Sequence, residues 1–318
     1  LRRNTSVIYY DCTNFFYESV QETELRRPGA SKENRRTPIV QMGLFMDAEG
    51  LPLAFNINPG NTNEQVTLRP LEKMIGERMG LEEFVMCTDA GLSSGSNKLY
   101  NDTAGRKFIT AQSVKTLPNT AGKKKSPGNI RDWAMADGGW KLPGDATMEY
   151  TLTEILKPEN REIYKDRTFY KERWYKTWVT DAETGTEAEL EQRLIVSFSL
   201  KYLEYQRLKR QQNIDKAEKA IRHGNAAESP KSFRSYIVTD KCTRDGEVAD
   251  IDYRHRIDYD RVAQEEQYDG FYAITTNLEE YTDKLGQRRH TIPDLLKINR
   301  ARWEIEESFR IMKTQMRA

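Results

Sequence analysis

The sequence predicts an α/β protein: a mixed sheet flanked by helices, interrupted by a large, mostly β insertion that carries one charged helix. Three observations predict it. Short β-branched and aromatic runs alternate with helical periods through residues 1–114. A Gly/Pro/Lys loop with no apolar period, TAGKKKSPGN (120–129), then breaks the alternation. The pattern resumes near the end, with the buried-strand run YDGFYAITTN (268–277) and a helical period over 292–316. The breaks divide the chain into a first core segment (1–114), an insertion (115–262) and a closing core segment (263–318).

In order, SVIYY (6–10) is β-branched and aromatic and meets Asp11. IVQMGLFM (39–46) and LPLAFNI (51–57) flank Asp47-Ala48-Glu49-Gly50, a hairpin-type turn, so three antiparallel strands are expected. Val66, Leu68, Leu71, Met74 and Ile75 recur at helical spacing, and Gly80 can end that helix. FVMC (84–87) leads through Thr88 into Asp89; a helix over 94–104 and a strand at KFIT (107–110) follow. In the insertion, MEYTLTEIL (148–156), RLIVSFS (193–199), YIVTD (236–240) and YRHRIDYD (253–260) read as strands. Between them, 200–221 forms a charged helix with Tyr202, Tyr205, Leu208 and Ile214 as a thin apolar stripe.

Composition bounds the function. With 50 basic and 49 acidic residues, a nucleic-acid partner must be held by local basic patches and not by a general positive field. Mean hydropathy is -0.81, and neither a membrane-spanning run nor a signal-peptide pattern is present, so a cytoplasmic protein is expected, with no membrane partner. Cys12, Cys87 and Cys242 are too scattered for a disulfide framework or a Cys-rich zinc site, and His223, His255 and His290 share no ligand-like spacing. Leu1 in place of Met, and a polar helix that stops at Ala318, suggest a fragment of a longer chain.

Three carboxylates carry the chemistry. Asp11 and Asp89 each end an apolar run, where a core strand emerges and an acid meets solvent or a metal; either also suits a turn or a helix cap. In ARWEIEESFRIMK (301–313), Arg302, Glu306, Arg310 and Lys313 fall within about 80° of one helix face, beside the apolar stripe of Ile305, Phe309, Met312 and Met316. Glu306 alone of the three glutamates is placed to enter a site at the edge of the core, Glu304 pointing roughly opposite. The bland alternative is a solvated salt-bridged face of Arg302, Glu306 and Arg310. Hard divalent cations take carboxylate oxygens, and two-metal phosphoryl transfer needs acids from different elements to hold two ions about 4 Å apart. Two strand-end aspartates and a helix glutamate meet that requirement.

On these residues the chain resembles a DDE transposase of bacterial insertion sequences, in the insertion-sequence-four branch marked by Y-x2-R-x3-E-x6-K. Arg302, Glu306 and Lys313 match the R, E and K, whereas Asn299 stands at the Tyr position. YYDCTNFFYES around Asp11, GASKENRR (29–36), Gly60-Asn61 with Glu64, VMCTDAGL around Asp89 and DGFYAITTN also match. The resemblance implies a ribonuclease H-like fold interrupted by an insertion before the glutamate helix. It implies metal-dependent nicking and strand transfer with Mg2+ or Mn2+, two ions held by Asp11, Asp89 and Glu306 as catalytic ligands. The implied partners are double-stranded DNA, both terminal inverted repeats and target, bound by a homodimer that is nucleoid-associated when on DNA. Arg302 and Lys313 become DNA contacts, with Arg310 beside them. A nuclease of the same fold, or an inactive remnant that only binds DNA, remains as the alternative.

Lys32, Arg35 and Arg36 form a basic loop that either grips phosphate or is merely solvated, and the same choice applies to Lys123, Lys124 and Lys125. Trp133, Trp140, Trp174 and Trp178 are expected to pack in a core, with base stacking as the alternative.

Overall fold

The first strand, expected to end at Asp11, instead runs five residues past it, because its pairing with the second strand continues to Phe16; it is buried along most of its length, which requires cover on both faces. In the computed structural model, which describes residues 3–18, 20–29, 37–119, 128–243 and 251–315, this strand is β1 (Val7–Phe16), buried from Val7 to Asn14. β2 (Ile39–Met46), β3 (Pro52–Pro59), α1 (Glu64–Met79), β4 (Val85–Thr88), α2 (Gly95–Thr103) and β5 (Lys107–Gln112) follow in the expected order. Local chemistry sets their ends. Asn63 caps α1 through the Gln65 N–H, and Gly80 closes it at φ 64°. In the β2–β3 turn the buried Asp47 carboxylate accepts the N–H groups of Glu49 and Leu51, while Gly50 takes φ 77°.

Next come α3 (Ile130–Met135), β6 (Trp140–Leu142), β7 (Asp145–Tyr150), α4 (Leu152–Ile155), α5 (Arg161–Tyr164), β8 (Phe169–Thr180) and β9 (Glu187–Phe198). Then follow α6 (Leu200–Arg222), α7 (Lys231–Arg234), β10 (Ile237–Thr243), β11 (Ile251–Ile257) and α8 (Tyr259–Glu266). The chain closes with β12 (Phe271–Thr276), the small pair β13 (Tyr281–Thr282) and β14 (Arg288–Arg289), α9 (Ile292–Ala301) and α10 (Trp303–Thr314).

Three further expectations are corrected here. The strand expected over 148–156 stops at Tyr150, because the Thr151 hydroxyl accepts the Glu154 N–H and starts α4. The one over 253–260 stops at Ile257, because Asp258 caps α8 in the same way. The C-terminal helix is two helices: the chain tightens at Arg302, whose carbonyl accepts from Ile305, three residues on.

The chain forms two compact units. The first comprises Leu1–Glu149, Tyr170–Val196 and Tyr272–Ala318. It is built on a ten-stranded sheet of order β3-β2-β1-β4-β5-β12-β9-β8-β6-β7. β1, β4 and β5 are mutually parallel, β2 runs antiparallel to β1 and β3, and β12 runs antiparallel to β5. Alternate residues of these strands feed two different cores. Val7 and Tyr9 of β1, Cys87 of β4, Ile109 of β5 and Ile274 of β12 pack with Leu295, Leu296, Ile305 and Phe309 of α9 and α10. Ile8, Tyr10, Cys12 and Met86 pack on the other face with Leu68, Leu71 and Ile75 of α1. This is an α/β, ribonuclease H-like arrangement, a mixed sheet flanked by helices.

The second unit comprises Tyr150–Phe169 and Ser197–Phe271. Its small core gathers Ile214, Ala217, Tyr236, Ile257 and Val262 from α6, the β10–β11 hairpin and α8. Arg210 and Asp269 form a buried bidentate ion pair within it. The apolar stripe of α6 differs from expectation: Leu200, Leu203, Ile214 and Ala217 are buried, whereas Tyr205 and Leu208 face solvent. Among the described residues no helix is long and apolar enough to cross a membrane.

Candidate active site

Asp11 and Asp89 are brought side by side by the parallel pairing of β1 and β4. The register runs Val7 to Val85, Ile8 to Met86, Tyr9 to Cys87 and Tyr10 to Thr88, so the next step sets Asp11 opposite Asp89. Residue 89 is still extended, with φ -80° and ψ 178°, so alternation continues through it. Asp11 therefore shares a face with Tyr9, and Asp89 with Cys87, and that face is the one covered by α9 and α10. Neighbouring strands lie about 4.8 Å apart, so the two carboxylates start from adjacent backbones.

Each aspartate also accepts a local backbone N–H, Asp11 within its strand and Asp89 as the cap of a turn. The Asp11 Oδ1 accepts the Cys12 N–H at 2.8 Å, and the Asp89 Oδ1 accepts the Leu92 N–H at 3.0 Å, capping the short 3-10 turn Ala90–Leu92. Asp11 is buried and Asp89 half-buried. For Asp89 the capping role and the placement beside a second acid thus coexist, since the cap uses one oxygen of two.

Glu306 lies on α10, the helix that covers this face and packs along β1. Its Oε1 meets Arg302 Nη1 at 3.0 Å, and its side chain is 57% exposed against 20% for Arg302. Among the described residues no group of three or more His, Cys, Asp or Glu side chains converges closely enough to hold a metal ion. The structure brings Asp11 and Asp89 together and leaves Glu306 with Arg302. Glu304 points elsewhere, its Oε2 lying where a Cβ on Gly50 would approach to 2.6 Å. Arg310 pairs with Glu307 and not with Glu306, so no Arg302-Glu306-Arg310 ladder forms. Lys313 sits over the Phe15 ring, its Nζ 5.7 Å from the centroid, on the strand residue that shares a face with Asp11.

Tyr272 of β12 also belongs to this edge, although its sequence context assigns it no role. It faces the same side as Ile274, and Asn299 Nδ2 donates to its hydroxyl at 2.6 Å. Burial pushes the Tyr272 phenol above its ordinary value; Arg302 draws it down and Asp89 raises it, so the phenol senses both. The run DGFYAITTN contained the signal, but a tyrosine in an apolar strand is indistinguishable from core until its partners are known. Arg302 also reaches inward: its charge opposes the burial that drives the Cys87 thiol up to about 12, and its own Nε is buried without a hydrogen-bond partner.

Lys32, Arg35, Arg36 and the Lys123–Lys125 run lie outside the described residues. Trp140 is fully buried, as expected of a core residue, with Lys171 Nζ 4.4 Å from its ring. Trp174 and Trp178 are instead exposed, because they occupy alternate positions on the solvent side of β8.

The donor set is made of carboxylate oxygens on adjacent central strands of a ribonuclease H-like sheet, Asp11 within β1 and Asp89 just past the end of β4, which defines the class as one suited to hard divalent cations. The model of the transposase DDE domain family matches residues 19–318, and the chain belongs to that family of DNA-processing enzymes, which generally use divalent metal ions. The matched span contains Asp89 and Glu306 and begins after Asp11. No curated protein matches the chain.

Proposed function

We propose that this chain is the catalytic core of an insertion-sequence transposase that nicks DNA at the element's ends and transfers the cut strand. The observation that carries the proposal is the register of Asp11 beside Asp89 on the face covered by the helix of Glu306. Two turns of α10, about 10.5 Å, separate Glu306 from Lys313. The same distance along a strand is about three residues, which from Phe15 leads back toward Asp11. Glu306 is thus level with the aspartates and joins them by exchanging Arg302.

In this proposal Asp11, Asp89 and Glu306 hold Mg2+ or Mn2+. When bound, such ions make a nucleophile of water or a 3′-hydroxyl and stabilise charge on the attacking and leaving oxygens. The chain's own residues do the rest. Asp11 and Asp89 are pre-aimed by their local hydrogen bonds, from the Cys12 N–H within β1 and from the Leu92 N–H of the capped turn. Arg302, once released from Glu306, offers a planar fork to a phosphate, and Lys313 offers a point charge two turns away. Terminal inverted repeats and target DNA are the proposed substrates, and a homodimer on paired ends the acting species.

The test uses the full chain, Mg2+ and a duplex carrying the element's end, with a second duplex pre-cut to a 3′-hydroxyl. Wild type should nick the first and join the second to target DNA, and Asp89→Asn and Glu306→Gln should do neither. Nicking without joining would identify a nuclease of the same fold. Nicking that survives Asp89→Asn would overturn the site.

A further inference from the structure

The long helix of the second unit carries a lysine face that the active site does not use. On α6 the buried residues Leu200, Leu203, Arg210, Ile214 and Ala217 cover an arc of about 100°. Centred roughly opposite, Lys201, Tyr205, Lys209, Gln212, Lys216 and Lys219 fall within about 80°, and all six are exposed. No acid falls in that arc. The acids at its edge are engaged: Glu204 with Arg161 at 2.6 Å, and Asp215 with the Gln211 amide at 2.8 Å. Among the described residues none of the four lysines is in an ion pair. Lys209 lies over the ring of Tyr205, which is stacked on Tyr202 at an interplanar angle of 16°.

We infer that this face docks on the phosphate backbone of duplex DNA. Charge complementarity selects the partner. In a chain of 50 basic and 49 acidic residues, four such lysines without an interspersed acid form a local positive stripe, and a polyanion is its match. From Lys201 to Lys219 the stripe runs about 27 Å, somewhat less than one duplex turn of about 34 Å. Lysines contact phosphate as point charges and release counterions, so the binding is strong at low salt and indifferent to base sequence. Tyr205, held by its stacking and by Lys209, adds a hydroxyl at the same surface. That the polyanion is DNA rests on the transposase proposal; the stripe itself does not.

The experiment measures binding alone. The full chain is titrated into a fluorescent duplex of about 30 base pairs in EDTA, over a salt series, for wild type and for Lys209→Gln/Lys216→Gln/Lys219→Gln. Gln and Lys have similar helix propensity, so α6 is retained, and circular dichroism checks that it is. The triple variant should bind at least about tenfold more weakly near 100 mM salt. Its slope of log affinity against log salt should be shallower by about 2–3, since each phosphate that a lysine neutralises adds about 0.9 to the slope. Lys157→Gln/Lys165→Gln, on the same unit but off the stripe, should change neither.

An unchanged slope, an equal change in the control, or a wild type that binds no duplex overturns the inference. So does an unchanged DNA affinity with altered sedimentation, which would make the face a protein interface. Asp89→Asn separates the two proposals. If wild type and Asp89→Asn both bind through this face but wild type never cuts, the catalytic proposal fails and the docking face stands. If cutting needs Asp89 while the triple variant binds normally, the docking face fails alone.

Discussion

Arg302 holds Glu306 at 3.0 Å from the point where α9 gives way to α10, one helical turn before it. The pair is partly solvated, so its removal should cost under about 1 kcal/mol, and Arg302→Ala should melt close to wild type. Its effect on chemistry should be much larger. A missing fork for the scissile phosphate should slow end nicking by about 100-fold or more, with Arg302→Lys recovering only part. Wild-type nicking by Arg302→Ala would reduce Arg302 to a surface partner of Glu306.

Metal linkage should separate the three acids. Ligands that bind only the folded state raise its stability; at a concentration ten times the dissociation constant the gain is about 1.4 kcal/mol. Mg2+ or Mn2+ at millimolar concentration should therefore raise the melting temperature of wild type, and EDTA should reverse it. Asp11→Asn/Asp89→Asn should abolish the shift. Glu306→Gln should reduce it less, because Glu306 rests with Arg302 and the aspartates are already adjacent. An equal shift in the double variant would place the metal elsewhere.

Tyr272 and Asn299 act as a couple at the same edge. Tyr272→Phe leaves the Asn299 amide without its acceptor in a buried setting and should cost about 1–3 kcal/mol in urea denaturation. Asn299→Ala should cost a similar amount. A double variant costing much less than the sum of the singles would demonstrate the coupling, and strict additivity would refute it.

Away from the site, Glu72 of α1 is fully buried, and that burial pushes its carboxyl up to about 7, against the pull of Arg106, Asn101 and Arg69. A raised folded-state value means that the protonated form is favoured by folding. The contribution is full below about 4.5 and is lost as pH rises through about 7. Glu72→Gln removes the titration and should gain stability relative to wild type between pH 5 and pH 8, by an amount on the order of 2–3 kcal/mol. Parallel stability curves for the two proteins over that window would contradict the burial effect.

In the second unit, Arg210→Ala should leave the Asp269 carboxylate, whose side chain is only 4% exposed, with only the solvent-exposed Arg207 at 3.7 Å as a cation partner. Breaking a buried pair from one side costs about 3–5 kcal/mol, whereas replacing both partners by apolar residues is often near neutral. Hydrogen exchange should show the loss concentrated in residues 197–271. An Arg210→Met/Asp269→Leu variant as unstable as Arg210→Ala would show that packing, and not the orphaned charge, sets the cost.

Legibility in the sequence followed the range of the interactions. Strands with apolar alternation, the helix ended by Gly80, and the Asp47–Gly50 turn were readable because a few consecutive side chains and backbone angles decide them. The misplaced ends at Tyr150 and Ile257 came from caps, Thr151 and Asp258, that look like ordinary strand residues until the next N–H turns toward them. The exposure of Tyr205 and Leu208 was misjudged because a helical period shows that a face exists, not which face meets a partner.

Residue types and spacing along the chain established the alternating core and singled out Asp11 and Asp89 beside apolar strands and Glu306 on a helix face, since these depend on local periodicity and turn chemistry. Which of those acids meet depended on pairings across the chain. The β1–β4 register that sets Asp11 beside Asp89 joins segments more than seventy residues apart, and its energy comes from two buried faces packing at once. The same holds for Arg302 taking Glu306 and for Asn299 reaching Tyr272: each choice among nearby partners was made by the packing of α9 and α10 on the sheet.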